Sequence, residues 1–268
     1  MKSQSHPSPG TVYLIGAGPG DPDLITVRGA EILKAADVIV YDRLANPELL
    51  SYTRTESEHI YVGKRPGKPS VSQSQINEIL ASKAREEKSV ARLKGGDSFV
   101  FGRGGEECEA LAASGVPYEV VPGISSSLAA PAYAGIPLTY RNEARSFTVV
   151  TGHILDGENP CANWEYLVHA DTLVILMGMR NLGVISEKLI QFGRHPGTPV
   201  AVIERATYEE QNVVAGRLDN IADRAKELSS PATIVVGEMV EKGRELAWFR
   251  KNLDQPELQV EFNSKFVG

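Results

Sequence analysis

The chain has 268 residues, of which 42% are hydrophobic and 23% are charged, and its formal net charge is −6. This composition predicts an ordinary soluble globular protein with one large or two medium domains. The acidic balance argues against nonspecific binding of nucleic acid, and no window approaches the roughly 18 uninterrupted apolar residues of a membrane helix.

The first ten residues and the cysteines indicate where the protein resides. Residues 1–10 are polar and contain no apolar signal core, so they predict a short disordered tail on a cytoplasmic protein. Cys108 and Cys161 form no CxxC or Cys/His ligand pattern, which predicts neither a disulfide framework nor a zinc site. We expect Cys108, in helix-like sequence, to be a small buried residue.

The first part of the chain alternates short apolar strands with helices. Predicted strands cover residues 11–15, 37–41, 60–62, 89–93 and 116–121, and predicted helices cover residues 26–33, 75–88, 106–114 and 128–134. Thr26 is the expected N-cap of the first helix. This alternation predicts an N-terminal α/β lobe over residues 11–122 with a mostly parallel sheet.

The alternation restarts near residue 147. Predicted strands cover residues 147–151, 172–177, 199–203, 213–216 and 233–236; predicted helices carry Leu182, Ile185, Leu189 and Ile190 on one face or span residues 219–228. Only nine residues separate strands 199–203 and 213–216, too few for a helical crossover, so this pair should be antiparallel. We therefore expect a C-terminal lobe over residues 123–250 with a mixed sheet, a linker near 123–145 and a tail over 251–268.

Glycine-bearing loops follow the strands of the first lobe. The loop at residues 16–21 is not a dinucleotide fingerprint, because Asp21 occupies the position of the third glycine and Pro19 and Pro22 keep the chain extended. Loops after the first, fourth and fifth strands should gather at one edge of the sheet. We expect an active-site cleft between the two lobes.

The stretch from Arg92 to Glu107 carries the strongest sign of function. It contains two glycine pairs with interleaved cations and Asp97, between a strand and a helix. Bare backbone at such glycines can approach a ligand closely. A loop that only needs glycine to turn is the plainer alternative, and one pair would satisfy it.

The remaining chemistry is open on residue types alone. No GxSxG, HExxH, P-loop or Cys–His nucleophile pattern is present. The isolated carboxylates are Asp21, Asp42 and Asp97, and the surrounding cations are Lys64, Arg65, Lys68, Arg92, Lys94, Arg103, Arg141 and Arg145. Such a set could bind a polyanion, hold a cationic or zwitterionic cofactor, or move protons. Asp42 could equally cap a turn, and the basic loop at 63–68 could be a solvated one.

Several motifs together resemble those of the uroporphyrinogen-III C-methyltransferases, a tetrapyrrole methylase family. They are GAGPGD (16–21), YDRL (41–44), VGKR (62–65), RLKGGD (92–97), FGRGGEE (101–107), VPGI (121–124), AGIP (134–137) and TGH (151–153). They occur in order across about residues 11–250. The agreement of many motifs is far more specific than any single glycine loop.

The resemblance implies a two-lobed tetrapyrrole methylase fold and a homodimer, and a sulfonium donor needs no metal. The implied reaction is S-adenosylmethionine-dependent methylation of uroporphyrinogen III at C2 and C7, giving precorrin-2 through precorrin-1, with S-adenosylhomocysteine as coproduct. The product would feed sirohaem or cobalamin biosynthesis. Eight substrate carboxylates would explain a cationic cluster within an acidic protein.

The resemblance also implies roles for individual residues. Asp42 matches the proton acceptor, Lys64 the proton donor, and Arg92 a residue of substrate binding and turnover. Matching cofactor contacts are Pro19, Gly95, Gly96, Asp97, Val100, Ser125, Ser126, Met177 and Ala206, where glycine is usual at the last position. Arg65, Arg92, Arg103 and Arg141 are the expected substrate-binding cations. On sequence alone, Met177 would read as a core residue.

Three departures from the family pattern stand near these positions. Ser98 replaces a proline after Asp97, which predicts a looser cofactor loop. Tyr140 replaces a histidine, which argues against acid–base chemistry there, and Ser125-Ser126 replaces Thr-Ala. His153 could contact substrate or make a structural hydrogen bond.

Three alternatives remain. A methylase of the same fold could act on a later corrin precursor or on a non-tetrapyrrole substrate. A nicotinamide-dependent oxidoreductase is disfavoured by Asp21, and 268 residues leave no room for a fused dehydrogenase, so no NAD-dependent step is expected. A silent binding protein is disfavoured by the intact Asp42 and Lys64.

Overall fold

The computed structural model describes residues 7–63, 71–152 and 164–249. The chain divides into two compact units, Met1–Ala129 and Ala130–Gly268. The division falls inside the predicted linker region 123–145, and the predicted lobe boundaries stay predictions. The expected tail at 251–268 lies outside the described residues, and so do residues 1–6 of the expected tail at 1–10.

A five-stranded parallel sheet forms the centre of the first unit. Its strands are β1 (Val12–Gly16), β2 (Val38–Tyr41), β3 (Glu58–Tyr61), β4 (Val90–Lys94) and β5 (Tyr118–Val121), in the order β3-β2-β4-β1-β5. The parallel sheet predicted for this part of the chain is therefore confirmed. β1 and β4 lie in the middle and are buried at every residue, as expected for a sheet covered on both faces.

In the described ranges, the first half of the chain contains four helices, and the last of them crosses the division between the two units. They are α1 (Val27–Leu33), α2 (Gln73–Arg85), α3 (Gly104–Ala113) and α4 (Ser126–Tyr133), with short 3-10 helices at Pro22–Leu24 and Pro47–Tyr52. Thr26 caps α1 as predicted, because its side chain accepts a hydrogen bond from the Gly29 amide at 3.2 Å. α2 begins two residues before its predicted start, since Ser72 and Gln75 form a reciprocal capping box.

The second unit contains a mixed five-stranded sheet. Its strands are β6 (Phe147–Thr151), β7 (Thr172–Leu176), β8 (Pro199–Glu204), β9 (Asn212–Arg217) and β10 (Ala232–Val236), in the order β6-β7-β10-β8-β9. β6 and β7 are parallel, whereas β10 runs antiparallel to β7 and β8. The predicted antiparallel pairing of β8 with β9 is confirmed.

Within its described residues, the second unit contains four short helices, one of which is shorter than predicted. They are α5 (Trp164–Leu167), α6 (Leu182–Gln191), α7 (Ile221–Arg224) and α8 (Gly243–Leu246), with 3-10 helices at Met179–Asn181 and Glu238–Lys242. The predicted apolar face of α6 is confirmed at Leu182, Ile185 and Leu189, which are buried. The predicted helix over 219–228 is wrong in length. The chain leaves helical geometry after Arg224, and the Ser229 amide then donates to Glu204 Oε1 on β8 at 2.7 Å.

No helix in the described ranges has both the length and the mean hydropathy of a membrane span.

Cys108 is buried as predicted, and burial raises the pKa of its thiol. The structure therefore gives Cys108 the packing role expected from its place in the sequence.

Asp37 links the amino-terminal ends of β2 and β4. Its carboxylate accepts hydrogen bonds from the Ser89 amide at 2.9 Å, the Ser89 hydroxyl at 2.7 Å and Arg54 at 2.7 Å. Burial opposes ionisation of this carboxyl, but these bonds outweigh it, and the pKa of Asp37 lies below its ordinary value.

We predict that Asp37→Asn destabilises the protein near neutral pH but not in acid. A carboxyl with a lowered folded-state pKa stabilises above its unfolded pKa of about 4, and the stabilisation disappears as pH falls through the folded-state pKa. Urea unfolding of wild type and variant should therefore give a free-energy difference at about pH 7 that shrinks below about pH 4. The exposed Asp23→Asn is the control. An unchanged difference at about pH 3 would contradict the assignment.

Candidate active site

Three loops meet at the carboxyl edge of the first sheet. They follow β1, β4 and β5, and they approach so closely that a Cβ added to Gly16 would lie 2.5 Å from Gly123 backbone and 2.7 Å from the Gly96 carbonyl oxygen. Gly18 and Gly96 exchange backbone hydrogen bonds of 3.2 and 2.6 Å. Gly96 has a φ of 68°, which favours glycine. The predicted gathering of these loops is confirmed.

Asp97 joins the β4 loop to the β5 loop. Its Oδ1 accepts a hydrogen bond from the Phe99 amide at 2.8 Å, and its Oδ2 accepts one from the Gly123 amide at 3.0 Å. Both carboxylate oxygens are thus bonded to backbone. Asp97 therefore ties the backbone at Phe99 to that at Gly123, whatever ligand contact it also makes.

The loop after β2 lies against the same glycines. A Cβ on Gly95 would lie 2.5 Å from Leu44 Cβ, and the Leu44 amide donates to Asp42 Oδ1 at 3.1 Å. Asn46 is 6% exposed and donates to the Gly20 carbonyl at 2.8 Å. Asp42 does cap a turn, the plainer role that the sequence allowed, and that turn places it beside the glycine loops.

A group of four charges, three of them buried and Asp42 partly exposed, lies at this edge. Arg92 Nη2 donates to Asp42 Oδ2 at 3.2 Å, Arg92 Nε donates to Glu107 Oε1 at 3.2 Å, and Lys94 Nζ donates to the same Glu107 oxygen at 2.9 Å. The side chains of Arg92 and Glu107 are 3% and 0% exposed, whereas that of Asp42 is 27% exposed. Charges are tolerated inside proteins when they are paired and hydrogen-bonded.

Within this group, burial and the neighbouring Arg92 charge lower the pKa of Lys94, and Glu107 and Asp42 oppose that shift. Gln73 Nε2 also donates to Glu107 Oε1 at 3.2 Å. Glu107 Oε2 is buried and has no hydrogen-bond partner among the residues that the structure describes. An unsatisfied buried acceptor costs roughly 1–3 kcal/mol of folding free energy. Fold stability alone therefore does not explain why Glu107 is arranged in this way.

Arg92 is not positioned as a surface cation. Four N–H groups of its guanidinium are directed to Glu107, Asp42 and the carbonyls of Val40 and Leu93, the last two at 3.4 and 3.0 Å. The guanidinium contacts the open part of the site through Asp42. Its expected role in substrate binding stays a prediction.

Other expected cofactor residues of the first unit lie on these loops. Ser125 is 7% exposed, and its Oγ contacts Ser127 Oγ at 2.9 Å at the start of α4, next to the half-buried Ser126. Pro19 lies in the loop after β1, between Gly18 and Gly20, and the Gly20 carbonyl accepts the hydrogen bond from Asn46. Val100 is 37% exposed.

The departure at Ser98 is fully buried. Its side-chain oxygen has no hydrogen-bond partner in the described part of the chain, whereas its carbonyl accepts from the Gly104 amide at 3.0 Å. A proline at this position would bury no hydroxyl. Serine therefore carries a desolvation cost here of roughly 1–3 kcal/mol.

Met177 and Ala206 belong to the second unit. Met177 follows β7 directly, is 45% exposed and has a φ of 56°, so the core position suggested by its sequence alone is wrong. Ala206 is 8% exposed, between Arg205 and Thr207, whose φ angles are 46° and 72°. Both residues thus lie where the backbone turns sharply after a strand.

Of the remaining predicted substrate-binding cations, Arg103 and Arg141 lie in the described ranges. Arg103 is exposed and pairs with Glu106 through bonds of 2.7 and 2.6 Å, and Arg141 is exposed on the turn that Tyr140 and Ala144 close. Lys64, Arg65 and His153 lie outside the described residues. The exposed Tyr140 ring is 4.6 Å from Lys242 Nζ.

Sequence reasoning gave no role to Glu107 or Asn46. One signal for Glu107 was available. Glu106 and Glu107 are two adjacent acids in the first turn of α3, and only one of them, Glu107, lies on the buried side of the helix. Asn46 was hidden because its amide acts across 26 residues of chain. In the described ranges, no group of three or more His, Cys, Asp or Glu side chains is placed to hold a metal ion.

Comparison with known proteins gives a consistent result. The family model for Tetrapyrrole (Corrin/Porphyrin) Methylases matches residues 11–222. The chain is 49% identical over 234 residues to the uroporphyrinogen-III C-methyltransferase of Priestia megaterium. This match covers 86% of this chain and 98% of that protein. It is 48% identical over 242 residues to the siroheme synthase of Azotobacter vinelandii, covering 90% of this chain and 52% of that protein.

The chain thus spans about half the length of the siroheme synthases that it matches. Among solved structures, it resembles the uroporphyrin-III C-methyl transferase of Thermus thermophilus complexed with S-adenyl homocysteine. The identity is 40%, the TM-score is 0.75, and the match covers 86% of this chain and 99% of that chain.

We predict that Gly16→Ala destabilises the protein by roughly 1–3 kcal/mol or more, because its methyl group would overlap backbone atoms that cannot rotate away. Gly105→Ala is the matched control, since a Cβ there meets nothing within 4 Å. Urea unfolding of both variants measures the difference. Equal stability of the two variants would contradict the close approach of the loops.

Proposed function

Because the chain belongs to the tetrapyrrole (corrin/porphyrin) methylase family, we propose that it transfers methyl groups from S-adenosylmethionine to carbon atoms of uroporphyrinogen III. The single observation that best supports this reaction is the Asp42 carboxylate. It is partly exposed, bonded to Arg92 and adjacent to the close-packed glycine loops. A proton acceptor beside a loop of accessible backbone is the arrangement that such a reaction needs.

The products that we propose are precorrin-1 and then precorrin-2, by methylation at C2 and C7. When bound, the sulfonium donor supplies an electrophilic methyl group. Each transfer would add CH₃⁺ to a ring carbon of the tetrapyrrole and release one proton from the ring, which Asp42 would accept, so the charge of the substrate does not change. Lys64 matches the proton donor of the family, and a proton that it gives to the ring would be balanced by a second proton that the ring releases.

The cofactor would be held by the backbone of the loops after β1, β4 and β5, with Pro19, Gly95, Gly96, Val100, Ser125 and Ser126 in contact, and by Met177 and Ala206. The substrate carboxylates would be held by Arg65, Arg103 and Arg141. The family resemblance supports these assignments, as it supports a homodimer. Sedimentation equilibrium measures the oligomeric state, and a monomer would contradict that part of the proposal.

We predict that the protein, incubated anaerobically with S-adenosylmethionine and uroporphyrinogen III, yields a tetrapyrrole heavier by two methyl groups. Mass spectrometry measures the gain, and a reaction without the donor is the control. No methylation in a preparation where an established enzyme of this activity works would contradict the proposal. Methylation only of a later corrin precursor would transfer the assignment to another member of the family.

We predict that Asp97→Ala weakens binding of S-adenosylhomocysteine by about tenfold or more, because loss of hydrogen bonds to a charged acceptor costs roughly 1.5–3 kcal/mol. The change frees the Gly123 and Phe99 amides from the loop. Calorimetric titration measures the affinity. Asp223→Ala, at an exposed position of α7, is the control, and equal affinity in the two variants would show the assignment to be wrong.

A further inference from the structure

Glu107 lies one residue beyond the surface pair of Arg103 and Glu106 and has an opposite environment. Glu106 is about half exposed, whereas the Glu107 side chain is 0% exposed. The position in the first turn of α3 favours a carboxylate through the helix dipole, but that benefit does not require burial. The burial of Glu107 is explained only by what its oxygens contact.

The contacts of Glu107 are concentrated on one oxygen. Oε1 accepts from Arg92 Nε, Lys94 Nζ and Gln73 Nε2 at 3.2, 2.9 and 3.2 Å, whereas Oε2 has no partner within the described chain. If the three donors only compensated the charge of Glu107, they could be divided between its two carboxylate oxygens. Concentration on Oε1 instead fixes the point to which Arg92 Nε is directed.

Fixing Arg92 Nε has a geometric consequence. A guanidinium is planar and presents its donors as a rigid fork. With Nε on Glu107 and Nη1 on the carbonyls of Val40 and Leu93, Nη2 is directed to Asp42 Oδ2 at 3.2 Å. The position of the Asp42 carboxylate therefore depends on Glu107, although the two acids do not touch.

Asp42 is the open end of this chain of contacts. Its side chain is 27% exposed, against 3% for Arg92 and 5% for Lys94. Its Oδ1 is bonded to the Leu44 amide, so Arg92 holds the second oxygen. Both carboxylate oxygens are thus oriented from within the protein.

From these contacts we infer that Glu107 is a positioning residue for methyl transfer: through Arg92 it holds the Asp42 carboxylate in the orientation that accepts the proton. The inference rests on the proposed function. Misplacement of a reacting group by about 1 Å can cost up to 10²-fold in rate. The expected effect of losing Glu107 is therefore on turnover, with little effect on binding.

The test compares Glu107→Gln with Glu109→Gln in the methylation assay. Both changes remove one carboxylate from α3, but Glu109 is exposed. We expect Glu107→Gln to lower kcat about tenfold or more while KM for both substrates changes less than about twofold, and we expect wild-type values for Glu109→Gln. Equal kcat in the two variants, with an active wild type, would overturn the inference. An inactive wild type would overturn the proposed function instead.

A second arm separates positioning from loss of structure. In an Arg92→Lys background the rigid fork is absent, so Glu107→Gln should cause little further loss in single-turnover rate. Losses that multiply would show that Glu107 acts independently of Arg92 and would overturn the inference.

If Glu107→Gln does not fold, Glu107→Asp provides the same test. It keeps the buried charge but shortens the side chain, so Arg92 Nε loses its partner. Circular dichroism and the unfolding midpoint check the fold. A folded Glu107→Asp protein with wild-type kcat would overturn the inference.

Discussion

The pairing of a buried arginine with two carboxylates is the constraint on which the first unit depends. Arg92 lies on the central strand β4, in a position that a parallel sheet normally gives to an apolar residue. A guanidinium there requires Glu107 from α3 on one side and Asp42 from the end of β2 on the other. Three elements that are distant in sequence are thereby held in a fixed relation at the carboxyl edge.

The glycines meet a second constraint at the same edge. Gly16 ends β1, and Gly96 and Gly123 lie in the loops after β4 and β5. A Cβ on Gly16 would overlap the backbone of the other two, and a Cβ on Gly123 would overlap the backbone of Gly16 and Gly96. Asp97 then joins two of these loops by bonds to backbone amides. The result is a region of accessible backbone immediately beside an ionisable side chain, which suits an enzyme that must align a donor and manage a proton.

The two constraints lie at the point where a parallel sheet most readily forms a ligand site. The chain moves from β1 toward β2 and β3 on one side, returns to β4, and then crosses to β5 on the other side. Crevices form at the carboxyl ends of strands where the order reverses in this way. The loops after β1, β4 and β5 are the ones at this reversal.

Much of the fold could be predicted from local patterns. The parallel strands, the Thr26 cap, the apolar face of α6 and the antiparallel pairing of β8 with β9 each depend on a few neighbouring residues. The predictions failed where a distant element set the local geometry. The helix predicted over 219–228 ends at Arg224, and Ser229 bonds instead to Glu204 on the distant strand β8. Met177 differs, because its exposure accompanies a local positive φ of 56°.

The sequence by itself determined the strand and helix pattern, the glycine loops and the family to which the motifs point, because residue type and spacing express these features directly. Only the tertiary structure decided that Arg92 is buried between Asp42 and Glu107, that Asp97 bonds to the Gly123 amide, and that Asn46 anchors the Gly20 loop. These partners lie 15 to 50 residues apart in the chain. Hydrogen-bond partners at such separations are chosen by the packing of whole elements, which no local pattern records.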